Sequence, residues 1–434
     1  MNYIPHSPSL NYQQGVLHSE GVDLAAIAKA VGTPSYVYSR AAIQSAHARI
    51  SAALRGLPAT IAYAAKANGH LAILSELKTL GCGADIVSIG ELQRAQQSGI
   101  AAERIVFSGV GKDSEEISAA LKAGIHAIHV ESEAELHAIA EIAQGLGVQA
   151  PIALRINPDI DPQTHPYIAT GLRDAKFGMS SDAACALLPM IKSTPSLNLI
   201  GLACHIGSQI GAASAMRDAV QHVASLALHC INAGHALSML DVGGGWPISY
   251  GDETTPMPTY DAFGDAIRAG LAQAGVEPTR FALWVEPGRA LVGNAGLLLS
   301  RVIYLKHNGQ THFAVLDAAM TELIRPPLYQ AFHSVTPYRQ ASTEQSRQPY
   351  DLVGPVCESA DYIAQGRELP TLAANDLLAI GSCGAYAAVM SMSYNARPRA
   401  AEVMVDGRDY HCITARQSLE SLWEKEQVPN FAQP

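Results

Sequence analysis

The sequence IAYAAKANGHLAILSELKTLGCGADIVS, residues 61–88, contains one complete unit of strand, helix and strand. Its first apolar run, Ile61–Lys66, and its last, Ala84–Ser88, have the length and composition of buried strands. Leucines recur between the two runs at helical spacing, and Gly81 follows them as a left-handed helix cap. These leucines are Leu71, Leu74, Leu77 and Leu80. The stretch therefore predicts a parallel β–α–β unit.

The same alternation continues on both sides of this stretch, from Pro58 to Gly288. Six further strand-like runs follow, at Arg104–Gly109, Ala127–Glu131, Ile152–Asn157, Leu199–Gly207, Met239–Gly245 and Phe281–Gly288. Eight successive β–α units are the number at which a parallel sheet closes into a (β/α)8 barrel, and an open doubly wound sheet is the alternative. We predict a TIM-like barrel over residues 40–295.

After Gly296 the strand-like runs follow one another directly. Leu297–His307 leads through Asn308-Gly309, a hairpin signal, into Thr311–Leu316. Further runs lie at Tyr350–Cys357, Leu377–Ser382, Glu402–Val405 and Tyr410–Thr414, and Pro34–Ser39 precedes the barrel. The sequence therefore predicts a fold of class α/β plus all-β, in which residues 1–39 and 296–434 form a second, mainly antiparallel β domain.

Composition excludes several classes of protein. The chain has 434 residues, 48% of them hydrophobic and 16% charged, which suits large buried cores and argues against disorder. A formal net charge of −10 gives no basic surface for nucleic acid. We recognise neither a secretory signal nor an apolar run long enough to span a bilayer, so a cytoplasmic protein is expected. Seven cysteines without a Cys-x-x-Cys pair favour free thiols over a metal site.

Barrel enzymes carry their active sites at the carboxyl ends of the strands, so the polar residues there are candidates for function. Lys66 ends the first strand, where a lysine is either solvated at the rim or placed to form a Schiff base with an aldehyde. Gly243, Gly244 and Gly245 end the seventh strand, as a tight turn or as a nest of exposed amides for an anion. A phosphate site facing such a lysine indicates pyridoxal 5'-phosphate as the cofactor.

The sixth and eighth strands also end in polar residues. Glu286 is followed by Pro287, Gly288 and Arg289, and it either pairs with the arginine or keeps a pyridine nitrogen protonated. The sixth strand ends at His205 and Ser208. The histidine is either a core residue whose hydrogen bonds are satisfied or a ring that stacks on the cofactor. The serine is a candidate phosphate ligand.

Together these motifs resemble the fold-type III pyridoxal-phosphate-dependent decarboxylases, and within them the diaminopimelate decarboxylases. The resemblance covers nearly the whole chain, and its motifs stand in the family's order. They are Tyr63–Asn68, Gly83–Leu92, Asn157-Pro158, His165–Gly171, Lys176–Gly178, His205–Ser208, Gly243–Gly245, Glu286–Arg289, Leu323–Tyr329, Gly354–Asp361, Gly384–Tyr386 and Tyr394–Arg399.

The resemblance implies a role for each candidate residue. Catalysis is assigned to Lys66 as the Schiff-base lysine, His205 as the stacking ring, Glu286 as the partner of the pyridine nitrogen and Cys357 as the proton donor. Cofactor binding is assigned to Lys66, Asp85, His205, Ser208, Gly243, Gly244, Gly245, Glu286, Pro287, Gly288, Arg289 and Tyr386. Substrate binding is assigned to Arg289, Arg325, Tyr329, Glu358 and Tyr386. In this family Cys357 and Glu358 enter the site from the second subunit of a homodimer.

The expected reaction is decarboxylation of meso-2,6-diaminopimelate to L-lysine. Diaminopimelate has a zwitterion at its distal end, for which Arg289 and Arg325 offer cations and Glu358 an anion. An ornithine- or arginine-type decarboxylase is the nearest rival, but its motif usually begins Cys-Asp instead of Cys357-Glu358. A racemase of this fold would place a cation at the ring nitrogen, where Glu286 is expected. A non-catalytic, partner-binding homologue is the remaining alternative.

Overall fold

The computed structural model of the chain describes residues 2–3, 8, 10–162, 170–172, 175–342 and 344–431. The chain forms two compact units. The first unit comprises Met1–Ala42, Tyr250–Asp252 and Asn294–Pro434, and the second comprises Ile43–Ser249 and Glu253–Gly293.

A small antiparallel sheet lies near the N-terminus of the chain. Its strands pair in the order β1, β2, β3 and β4, at Asn2–Tyr3, Leu10–Gln13, Val16–Ser19 and Val22–Asp23. Helix α1 (Leu24–Val31) follows, and Asp23 caps it by accepting a hydrogen bond from the amide of Ala25. Strand β5 (Ser35–Ser39) agrees with the predicted Pro34–Ser39, and helix α2 spans Arg40–Ala53. The sheet was not predicted, because strands of two to four residues are too short to show a period.

The predicted (β/α)8 barrel is confirmed. Among the described residues, eight parallel strands pair in chain order and close when the last pairs with the first. They are β6 (Ala59–Ala64), β7 (Gly83–Ile86), β8 (Ile105–Phe107), β9 (Ala127–Val130), β10 (Ala150–Ile156), β11 (Leu197–Cys204), β12 (Met239–Asp241) and β13 (Ala282–Val285). Small side chains dominate one interior layer, where Met239 and Trp284 fill the space left by alanines from four other strands.

Helices alternate with these strands. They are α3 (Leu71–Thr79), α4 (Ile89–Gln97), α5 (Ser114–Ala123), α6 (Glu133–Leu146), α7 (Ser181–Ser193), α8 (Ala213–Asn232), α9 (Tyr260–Gln273) and the short α10 (Arg289–Val292). The leucine pattern of α3 gives the predicted result, since Leu74 and Leu77 are fully buried and Gly81 has a φ of 85°. In the described part of the chain, no helix combines the length and the apolar character needed to cross a membrane.

The predicted second sheet, mainly antiparallel, is also confirmed. Its later elements are β14 (Gly296–Asn308), β15 (Thr311–Leu316), α11 (Arg325–Tyr329), β16 (Val335–Pro337), β17 (Arg347–Val353), β18 (Tyr362–Pro370), β19 (Leu377–Ile380), β20 (Ala401–Asp406) and β21 (Asp409–Thr414). The predicted hairpin joins β14 to β15. Strand β5 pairs with both β14 and β20. Two pairings are parallel, β15 with β17 and β20 with β5.

The predicted strand Tyr350–Cys357 is wrong at its C-terminal end. Strand β17 stops at Val353, because Pro355 offers no amide to continue a ladder. The amide of Val356 bonds to the carboxylate of Asp361 instead. Strand β18 was not predicted either, since its polar centre, Gln365-Gly366-Arg367-Glu368, hides the alternation that marks a strand.

Candidate active site

Lys66 lies directly after β6, in a single helical turn formed by Ala65–Ala67. Its Nζ is 3.1 Å from Oδ2 of Asp85, which belongs to the neighbouring strand β7. The carboxylate is completely buried, whereas about a third of the lysine side chain, 34%, remains exposed. A buried carboxylate at this distance orients the amine. The barrel therefore presents an oriented, reachable amine at the end of its first strand.

A buried acidic group forms the neighbouring part of the site. His129 on β9 has its Nε2 3.7 Å from Oδ2 of Asp241 and its Nδ1 3.7 Å from Oε1 of Glu286. Burial, reinforced by the charge of Asp241, raises the pKa of Glu286 well above its usual range, and burial raises the pKa of Asp241 to about 7. Burial also holds the pKa of His129 well below its usual value, so the ring is neutral. The two acids therefore lie together without a cationic imidazole.

Three buried polar atoms around this group have no hydrogen-bond partner in the structure. They are Oδ1 of Asp85, Oδ2 of Asp241 and Nε2 of His129. Buried polar atoms in native proteins are nearly always hydrogen-bonded, so unsatisfied ones mark a place where a ligand is expected. Two of the three are carboxylate oxygens, which suit a ligand that brings donors or positive charge. A pyridine ring that carries a proton on its nitrogen fits this requirement.

The three glycines after β12 allow the chain to approach its neighbours closely. A side chain at Gly243 or Gly244 would collide with the carbonyl oxygens of Cys204 and Glu286, and Gly243 has a φ of 72°. The prediction of exposed amides needs a correction at two of the three positions. The amide of Gly243 donates to Asp241 at 2.8 Å, and that of Gly244 donates to Nδ1 of His205 at 3.0 Å. These two hydrogen bonds fix the turn and the histidine ring, so the two amides are not available to bind an anion.

His205 follows β11 and accepts a hydrogen bond at Nδ1, so that nitrogen carries no proton. Burial, with lesser effects from Lys66 and Arg155, holds the pKa of His205 well below its usual value. The ring is therefore neutral and fixed by the glycine turn. A neutral, flat ring in a fixed orientation suits stacking on an aromatic ligand.

Ser208 and Arg289 form a hydrogen-bonded pair at the same end of the barrel. The guanidinium donates from Nη2 to Oγ of Ser208 at 2.9 Å and from Nε at 3.3 Å. Arg289 is the first residue of α10, directly after Gly288, where a side chain would crowd Ala64 and Ala67. A buried guanidinium beside a hydroxyl is a suitable binding site for a phosphate or a carboxylate.

Cys357 and Glu358 lie in the first unit, in the loop that joins β17 to β18. Asp361 organises this loop, since its carboxylate accepts hydrogen bonds from the amides of Met320 at 2.6 Å and Val356 at 2.7 Å. The amide of Cys357 donates to Oδ1 of Asn395 at 2.8 Å. The Cys357 side chain is exposed in the single chain. In the single chain Cys357 is therefore not an inert buried thiol.

Arg325 also lies in the first unit, as the first residue of α11, and it is buried. Its guanidinium carbon lies 4.7 Å from the ring centre of Tyr250, and its Nη1 lies 2.8 Å from Nε2 of His333. Tyr329 ends the same helix and is half-buried. Tyr386 has a φ of 55°, which is rare for an aromatic residue and typical of constrained functional loops. Arg325 is thus buried within its unit and is not a surface residue.

Sequence reasoning missed three residues of these groups: His129, Asp241 and His333. His129 and Asp241 could have been found as polar residues inside or at the end of apolar strands. His333 gave no signal, because it follows α11 in a stretch without periodicity. Most of the family motif at His165–Gly171 falls outside the described residues.

Known proteins that are similar to this chain over nearly its whole length are diaminopimelate decarboxylases. Residues 40–293 match the pyridoxal binding domain of the pyridoxal-dependent decarboxylases. A diaminopimelate decarboxylase from Pseudomonas aeruginosa is 44% identical over 97% of this chain and 99% of its own length. One from Vibrio cholerae is 45% identical over 96% and 98%. The crystal structure of diaminopimelate decarboxylase from M. jannaschii in complex with L-lysine has a TM-score of 0.92 at 35% identity, covering 98% of this chain and 99% of that one.

Proposed function

Because the chain belongs to the diaminopimelate decarboxylase family of pyridoxal-dependent decarboxylases, we propose that it converts meso-2,6-diaminopimelate to L-lysine and carbon dioxide, the last step of lysine biosynthesis. The observation that carries the proposal is the near-complete coverage of both chains at 44% identity. The lysine, carboxylates and guanidinium at the strand ends supply the chemistry that such a reaction needs.

The cofactor is pyridoxal 5'-phosphate. When bound, it supplies an electron-accepting ring that takes up the electron pair released by the breaking carbon–carbon bond. Lys66 would bind its aldehyde carbon, and Asp85, 3.1 Å from the Lys66 Nζ, would hold the amine in place. Glu286 would hold a proton on the ring nitrogen, and His205 would stack on the ring. Ser208 and Arg289 would bind anionic oxygens of the cofactor or the substrate.

We assign the distal end of the substrate to residues of the first unit. Arg325 would bind the distal carboxylate, because a guanidinium presents parallel donors that match a carboxylate. Tyr329 and Tyr386 would donate hydroxyl hydrogen bonds, and Glu358 would bind the distal ammonium. Ornithine and arginine, the substrates of the rival enzymes, have no distal carboxylate that could bind Arg325.

The domain limits and the cellular compartment are also part of the proposal. We propose that residues 40–295 are the cofactor-binding domain, and that residues 1–39 and 296–434 contribute the substrate site and the dimer interface. A reducing compartment such as the cytoplasm suits the free cysteines, all seven of which lack a disulfide partner in the described structure.

The direct test is to incubate the cofactor-loaded protein with meso-diaminopimelate and to measure both products. Carbon dioxide and L-lysine should appear in equal amounts, with the lysine identified by chiral chromatography. Consumption of ornithine or arginine without any turnover of diaminopimelate would refute the proposed activity.

A second proposal concerns assembly: the protein is a homodimer in which Cys357 and Glu358 of each subunit complete the site of the other. The exposure of Cys357 in the single chain supports this proposal. Mixing inactive Lys66→Ala with inactive Cys357→Ala protein should then restore about a quarter of wild-type activity, because half of the random dimers carry one intact site. Activity is measured after subunit exchange has been verified by mass spectrometry of labelled chains.

The matched control mixes Lys66→Ala with Glu286→Gln. Both residues lie in the second unit, after the adjacent barrel strands β6 and β13, so every hybrid site keeps one of the two lesions and activity should not return. Equal recovery in both mixtures, or none in the first, would contradict a shared active site.

A further inference from the structure

A buried imidazole lies beside the guanidinium of Arg325. His333 has no exposed surface, and Arg325 is 6% exposed. Arg325 begins α11, and His333 stands two residues before β16, next to the end of β19. Each buried donor and acceptor of these two side chains needs a hydrogen-bond partner, because an unpaired buried polar group is destabilising.

The partners of His333 fix its tautomer. Nε2 lies 2.8 Å from Nη1 of Arg325, and a guanidinium has only donors, so Nε2 must be the acceptor. Nδ1 lies 2.8 Å from the carbonyl oxygen of Gly381, which only accepts, so Nδ1 must carry the proton. Both bonds can exist together in one form of the ring. His333 is therefore neutral, with its proton on Nδ1.

The main chain of His333 is fixed as well. Arg367 donates from Nη1 to the carbonyl oxygen of His333 at 2.9 Å, and the amide of Gly381 donates to the carbonyl of Ser334 at 2.8 Å. The imidazole is thus held at Nδ1 and at its own backbone, which leaves Nε2 as a rigid acceptor directed at Arg325.

Tyr250 restricts the guanidinium from another side. The guanidinium carbon of Arg325 lies 4.7 Å above the tyrosine ring centre, and the same ring meets His333 edge-on at 5.3 Å and 77°. An aromatic face sets the position of the guanidinium, and a hydrogen bond to one terminal nitrogen sets its rotation. A bidentate ion pair with a carboxylate depends on both.

We propose that His333 is a positioning residue for substrate specificity: its unprotonated Nε2 holds Arg325 in the orientation that binds the distal carboxylate of the substrate. The proposal rests on the function proposed above and adds the residue on which the carboxylate preference depends. His333 itself contacts Arg325 and not the substrate.

Two substitutions separate the two ends of the imidazole. His333→Asn can keep a donor near Gly381 but removes the acceptor that faces Arg325. His333→Gln places a carbonyl oxygen near the position of Nε2 and keeps that acceptor. Binding to the holoenzyme is measured calorimetrically with L-lysine, which retains the distal carboxylate of the substrate, and with cadaverine, which lacks it.

His333→Asn should weaken L-lysine binding about 10- to 100-fold, the effect of one hydrogen bond to a charged group, and leave cadaverine binding within about threefold. His333→Gln should bind both ligands within about threefold of wild type. In turnover of meso-diaminopimelate, His333→Asn should raise KM by a similar factor while kcat changes little. Unchanged cadaverine binding shows that the variant is folded and loaded.

Arg325→Ala distinguishes failure of this inference from failure of the proposed function. If Arg325→Ala lowers the preference for L-lysine over cadaverine but His333→Asn does not, the positioning role is wrong and the substrate assignment stands. If neither variant changes that preference, Arg325 is not the carboxylate ligand and both proposals fall.

A measurement on the wild-type protein covers the case in which His333→Asn does not fold. Nitrogen-15 spectra of histidine-labelled holoenzyme, with the His333 signals assigned by their absence in His333→Gln, should show a protonated Nδ1 and an unprotonated Nε2 at neutral pH. A protonated Nε2 would overturn the inference.

Discussion

Replacing Glu286 by glutamine is expected to lower kcat by about two orders of magnitude or more, while pyridoxal phosphate still binds. Glutamine has the size of glutamate and can still hydrogen-bond, but it cannot carry the negative charge that favours a protonated ring nitrogen. The ring then becomes a weak electron acceptor, so the barrier to breaking the carbon–carbon bond rises.

The structure explains why Glu286 is suited to this role. Burial and the nearby Asp241 raise its pKa, so a positive charge brought to its carboxylate is strongly favoured. His129 is neutral and cannot supply that charge itself. We therefore expect Glu286 to pair with the proton that a bound pyridine ring brings.

The measurement is steady-state kinetics on Glu286→Gln together with its cofactor absorbance. KM should change far less than kcat, as for an interaction made mainly in the transition state. Glu76→Gln is a matched control, because Glu76 is also buried but bonds to Gln44 on the outer helices of the barrel. A kcat for Glu286→Gln within a few-fold of the control would show that Glu286 is structural.

Lys66→Ala is expected to lose about 10³-fold or more of the turnover, because the residue that binds the cofactor covalently is gone. The barrel should still fold, since the lysine side chain is partly exposed and lies outside the packed interior layer. Its loss leaves Asp85 without its cation, so weaker cofactor retention is expected as well.

Borohydride reduction followed by peptide mapping locates the cofactor directly. The pyridoxyl group should be found on Lys66 in the wild-type protein and on no peptide of Lys66→Ala. Lys192→Ala, which changes an exposed helix lysine, should label like wild type. Label on another lysine in the wild-type protein would overturn the assignment of Lys66.

The sequence was informative wherever a function depends on a local pattern. The eight barrel strands could be predicted because each is a short apolar run between turn signals, and Lys66 and Glu286 could be found because they end such runs. The hairpin at Asn308-Gly309 was found for the same reason. In these cases the residues next to one another in the sequence are enough to predict the local structure.

The sequence was uninformative where partners are far apart along the chain. His129 meets Glu286 only because the barrel closes, and His333 meets Gly381 across 48 residues. Strand β18 and the four N-terminal strands also depend on pairing more than on periodicity. Tertiary contacts of this kind have no signature within a local window.

The most direct test of the account is a competition assay that compares meso-diaminopimelate with L-ornithine and L-lysine as substrates of the holoenzyme. A site built around a guanidinium for the distal carboxylate should prefer diaminopimelate by about 10⁴-fold or more in kcat/KM. When ornithine or lysine binds as a substrate, its one carboxylate is at the reacting end, so the buried donors at the distal end stay unsatisfied. A kcat/KM for ornithine or lysine comparable to that for meso-diaminopimelate would contradict the proposed function.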